Sequence, residues 1–103
     1  MNYTEEQIKE KAKQIIKDLL DEFYSDELIR KILFKENDTH LFGKYKGQKH
    51  PTWTVSVEAL FDNVDFLHIS DETGEPLYYQ NFNTFVFNID KTPEGKYFKV
   101  NEE

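Results

Sequence analysis

Proton-carrying and metal-ligating side chains are thinly spread through the 103 residues. Three histidines stand at 40, 50 and 68, and no two share the i, i+4 spacing by which a helix presents paired ligands. The chain has no cysteine, which rules out thiolate metal sites and disulfides. Asp62, Asp65 and His68 are the carboxylates and imidazole that acid–base chemistry in a pocket would use. Acids beside an Asp62-Asn63 turn read first as solvated turn formers, however, and a strand histidine as a structural residue. No G-x-S-x-G, P-loop or G-x-G-x-x-G pattern occurs, so nucleophile elbows and phosphate cradles of those kinds are excluded. The expectation is no metal and no cofactor, with the balance against an enzyme.

The most motif-like passage is Ile69-Ser70-Asp71-Glu72-Thr73-Gly74-Glu75-Pro76-Leu77. Its acids invite a cation-binding reading, but a calcium loop needs alternating oxygen ligands across about 12 residues with a distant Glu, and that spacing is absent. Turn chemistry accounts for the passage. Gly74 falls where a four-residue hairpin loop wants a left-handed residue, and Asp71 is placed to accept from the amide two residues on. The centre is a corner between two strands.

Charge narrows the class of partner. Residues 1–50 hold ten acids and ten bases, whereas residues 51–103 hold ten acids against Lys91, Lys96 and Lys99, so the net charge of −7 belongs to the second half. Between Lys49 and Lys91 there is no Lys or Arg. Such a field repels phosphate backbones and anionic membranes, so neither nucleic acid nor membrane is expected, and the short basic run at 43–50 reads as a solvated turn. The start of the chain has no apolar run of signal-peptide length and no stretch could span a bilayer, which predicts a soluble, cytoplasmic protein.

The elements that must position these residues follow from periodicity. Thr4 and Gln7 fit a capping box, and Ile8, Ala12, Ile15, Ile16, Leu19 and Phe23 recur at helical spacing. A long amphipathic helix is predicted near 4–24. Ser25 or Asp26 then caps a short second helix over "DELIRKILF", with a strand from Ile32 as the competing reading. "LFGKYKG" reads as an edge strand bulged at Gly43. From Pro51 the period is two: Trp53, Val55, Val57, Ala59 and Phe61 on one face, and Thr54, Ser56 and Glu58 on the other. Strand patterns follow at "VDFLHIS", "PLYYQNF", "TFVFNID" and "KYFKV", the last two joined through a Pro93–Gly95 turn. Length and pattern predict one α+β domain over 1–103, with the long helix and the short second one packed on an antiparallel sheet of about 4–6 strands.

A long helix, then Trp53-Thr54-Val55-Ser56-Val57, then Asp71-Glu72-Thr73-Gly74-Glu75-Pro76-Leu77 resembles the small PepSY-type domains and, in outline, cystatin-like helix-on-sheet folds. The resemblance covers about residues 4–24 and 53–80. It implies a helix laid on an antiparallel sheet and a regulatory or inhibitory module in families usually exported or membrane-linked. The strands after residue 80 have no counterpart in it.

Aromatic residues make up 16% of the chain, and "FLHI", "LYY" and "FVF" place apolar groups on consecutive strand positions, hence on both faces. One helix covers one face. The other needs the second helix, a second copy, or a ligand in a curved sheet. The resulting expectation is a non-enzymatic protein-interaction domain, immunity-like in style, that docks a basic partner or itself. The competing expectation is a small-ligand or enzymatic pocket in a curved, nuclear-transport-factor-like sheet. The residues expected to bind are Trp53, Glu58, Asp62, Asp65, Tyr78 and Tyr79.

Overall fold

The computed structural model describes residues 1–40 and 45–101. Helix α1 runs Glu5–Leu20 and starts on the expected capping box, with the Gln7 N–H donating to Thr4 Oγ1 at 3.1 Å and the Thr4 N–H to Gln7 Oε1 at 2.9 Å. It buries Ile8, Ala12, Ile15 and Ile16 and stops four residues short of expectation, where Asp21 takes a left-handed φ of 51°. Two single 3-10 turns follow, Asp21–Phe23 and Asp26–Leu28, the second capped by Ser25 Oγ accepting from the Glu27 N–H.

The expected second helix is therefore a correction: only Asp26–Leu28 turns, and a strand begins at Ile29. Its apolar spacing misleads for a physical reason. A bulge at Arg30 breaks the register between Ile29↔Val57 and Lys31↔Ser56, so Ile29 and Ile32, three apart, both face the core. A bulged strand thus imitates helical spacing.

Six strands form one antiparallel meander in chain order: β1 (Ile29–Thr39), β2 (Lys49–Glu58), β3 (Val64–Ser70), β4 (Pro76–Gln80), β5 (Val86–Lys91) and β6 (Tyr97–Asn101). Of the expected "LFGKYKG" strand, residues 41–44 lie outside the described part and Tyr45–Gly47 is a turn. Helix α1 lies on one face and touches both edge strands, β1 and β6. Its isoleucines pack with Trp53, Val55, Val57, Leu67, Ile69, Tyr79 and Tyr97 into one core, with Phe34 and Ile32 at its margin. No described helix is long and apolar enough to cross a membrane.

A meander sorts its connections between two ends. The β1–β2, β3–β4 and β5–β6 connections lie at one, here called the corner end, and the β2–β3 and β4–β5 turns at the other, the tip end. The expected alternation breaks at the tip. β2 ends at Glu58, and Leu60–Asp62 is a short turn in which Phe61 (φ 56°, ψ 43°) and Asp62 (φ 61°) are left-handed. Phe61, expected on the core face, is swung out to 91% exposure.

Candidate functional site

At the corner end the acidic motif is consumed by the fold. The Asp71 carboxylate is buried and accepts from Trp53 Nε1–H at 2.8 Å, from the Asn2 N–H at 2.8 Å and from the Tyr3 N–H at 3.3 Å. These donors outweigh the burial and hold its pKa below the usual range. The expected Asx-turn is made instead by Ser70, whose Oγ accepts from the Glu72 and Thr73 amides. Gly74 has φ +72°, and a Cβ there would lie 2.8 Å from the Tyr3 ring. Glu75 ties three elements together through Lys11 (2.7 Å), Lys91 (3.0 Å) and Tyr97 OH (2.9 Å).

The helix-free face carries a layer that sequence spacing did not reveal. All three histidines converge there, through β1–β2 and β2–β3 register rather than through local spacing. The His50 ring stacks on Tyr45 at 3.8 Å, His40 packs edge-on to Tyr78 at 5.8 Å, and His68 stacks on Tyr78 at 4.3 Å. Proton positions follow from partner capacity. Thr52 Oγ1 donates to the His50 carbonyl at 2.8 Å, so it accepts from His40 Nε2 at 2.7 Å and leaves His40 Nδ1 a bare, buried acceptor. Ser70 Oγ already accepts two amides, so it donates to His50 Nε2 at 2.7 Å, and His50 Nδ1 faces Glu72 Oε1 at 4.0 Å.

Ser70, His50 and Glu72 thus stand in the order of a hydrolase triad. Ser70 is fully buried, however, and its oxygen is filled by two amides, so no acyl group can reach it. Burial pushes the His68 pKa down to about 4 and lowers that of His40, so these two rings are neutral at pH 7. Among the described residues no group of three or more His, Asp or Glu is placed to hold a metal ion. The layer covers the helix-free face of the sheet with packed rings.

The tip end is built differently. Its β2–β3 turn is held tightly: the Ala59 N–H donates to the Asn63 carbonyl at 2.8 Å, while the Asn63 N–H and Nδ2–H both reach the Leu60 carbonyl. These bonds fix two left-handed non-glycine residues, a conformation costing an L-residue about 1–2 kcal/mol. What the turn presents is apolar, with Leu60 at 70% exposure beside Phe61. In the β4–β5 turn Thr84 is also left-handed, and Phe85 is 64% exposed. Asp65 links the two turns, accepting from the Phe82 N–H at 2.9 Å and from Tyr79 OH. Burial, then this bond, raises the Tyr79 pKa. On the helix-free side a cleft of about 490 Å³ opens between Arg30, Glu58, Asp62, Val64 and Phe66. Arg30 is ion-paired to Glu58 at its wall.

Of the six residues expected to bind, Glu58 and Asp62 meet in this cleft, and Asp65 and Tyr79 meet in one hydrogen bond beneath it. Trp53 lies in the core against Phe34 and Asp71, and Tyr78 lies under the histidine layer. With Trp53, Tyr78 and Tyr79 all buried, the aromatic surface at this end comes mainly from Phe61 and Phe85 instead, with Phe66 and Phe82 less exposed beside them. Their signal in the sequence was faint: "ALFDN" and "NFNTF" place large apolar residues inside turns. No family model, curated protein or solved structure matches the chain. The functional reading therefore comes from its own geometry.

Proposed function

We propose that this is a non-enzymatic protein-docking domain, regulatory or immunity-like in style, whose tip end inserts Leu60 and Phe61 into an apolar pocket of a basic partner. The observation that carries the reading is the pairing of backbone strain with apolar exposure at one turn. Either alone costs stability, and a turn under no demand but folding would place glycine at 61 and a polar residue at 60. Glu58 and Asp62 flank the apolar pair, and the chain's net charge of −7 supplies the long-range field that steers a cationic partner. The absence of cysteine fits a partner met in the reducing cytoplasm.

The test places a photo-crosslinking phenylalanine analogue at position 61 in the native cell and then titrates the captured protein with purified chain. The expected partner is basic, binds more weakly as salt rises, and loses at least about tenfold in affinity to Phe61→Ser, the scale of an interface anchor. A captured partner whose binding ignores both salt and Phe61→Ser would overturn the reading.

A further inference from the structure

The two edges of the sheet are unequally protected. β1 is interrupted by bulges after Ile29 and after Lys35, and carries exposed Arg30, Lys31 and Lys35. Bulges and cations are the usual means of stopping one edge from pairing with another. β6 has neither a bulge nor a register shift, carries a single exposed cation in Lys99, and shows Phe98 and Val100 half-exposed on the helix-free face.

The direction of its backbone groups is fixed by the turn before it. The Thr92 N–H donates to the Lys96 carbonyl, so by the two-residue period Phe98 and Val100 bond to β5 while Tyr97, Lys99 and Asn101 point their N–H and C=O groups outward. The Tyr97 N–H is already taken by Asp18 Oδ2 of α1 at 3.1 Å. No hydrogen bond among the described residues covers the outward groups of Lys99. The helix closes the start of this edge and leaves its second half open.

We infer that the open half of β6 pairs with β6 of a second copy, antiparallel and about a two-fold axis at Val100. Pairing β6 to β1 of the next copy would repeat without end, and the bulges and cations of β1 block it, so the self-complementary contact is the one that closes. The register follows by elimination. An axis at Phe98 needs the Tyr97 amide that Asp18 holds, and an axis at Lys99 sets two like charges directly opposite. An axis at Val100 pairs Lys99 with Asn101 of the partner, uses only open backbone groups, and sets valine on valine with Phe98 flanking.

In such a non-hydrogen-bonded pair the two Cα atoms sit about 4.5 Å apart, within the span a disulfide bridges. Because the chain has no cysteine, single cysteines test the register cleanly. Under copper–phenanthroline oxidation, Val100→Cys should convert to covalent dimer many times faster than Leu33→Cys, which places a more accessible thiol on β1. Sedimentation of the wild type should show mass rising toward a dimer between low-micromolar and millimolar concentration. Val100→Asp, which keeps every β5–β6 bond, should stay monomeric with unchanged circular dichroism. A wild type that remains monomeric throughout, equal cross-linking rates, or a Val100→Asp chain that dimerises as well as wild type would each overturn the inference.

Discussion

The two ends of one sheet solve the same backbone problem in opposite ways. Among the described residues, each connection at the corner end that turns through positive φ does so on a glycine, at 47, 74 and 95. At the tip end the positive-φ residues are Phe61, Asp62 and Thr84, none of them glycine. Two corner-end carboxylates are bound up in the fold: Asp71 holds three N–H donors, and Glu75 holds two lysines and a tyrosine hydroxyl. The tip end exposes Leu60, Phe61 and Phe85. One end is organised to keep the chain folded. The other bears strain and exposure that folding does not require, and the proposed docking role rests on that asymmetry.

If the corner end is the structural one, the largest loss of stability should come from Asp71. Asp71→Ala strands the buried Trp53 indole N–H and takes the acceptor from the partly buried amides of residues 2 and 3, and should cost about 3–4 kcal/mol in urea unfolding. A loss below about 1 kcal/mol would mean that the corner is not what closes the fold.

Acid comes next. His68 is held near pKa 4 in the fold against about 6.5 unfolded, so between these values the unfolded chain binds more protons and stability falls as the pH is lowered. The loss should approach about 3 kcal/mol from pH 6.5 down to 4, with His40 adding in the same direction. It should shrink in His68→Phe, which keeps a ring against Tyr78. An equally steep pH profile in that variant would place the acid sensitivity elsewhere. Gly74→Ala should follow at about 2 kcal/mol, because φ +72° and the Tyr3 ring both oppose a Cβ.

Much of this arrangement was legible in the residues, and the exceptions have causes. The capping box at Thr4 and Gln7, the alternation of Trp53, Val55 and Val57, and the Gly74 and Gly95 turns are local signals, and local signals survive into the structure. The strand at Ile29 was hidden because an inserted residue turns a period of two into a spacing of three. The histidine layer was hidden because residues 40, 50 and 68 are joined only by strand register, which no spacing encodes. Phe61 was assigned to the core face because alternation was carried past Glu58, where the strand stops. For the candidate site, the acids Glu58, Asp62 and Asp65 could be read as an acidic sheet end. Which aromatics stand beside them could not, since burial depends on where the turns fall.

The smallest expected effect is also the most diagnostic. Phe61→Gly removes the left-handed strain at residue 61 and the most exposed phenylalanine among the described residues together, leaving the core untouched. Its unfolding free energy should equal that of the wild type or exceed it by up to about 1 kcal/mol, while the partner captured through position 61 in the wild type binds at least about tenfold more weakly. A variant that loses stability yet keeps its partner would contradict the account, since Phe61 would then serve the fold and not the contact.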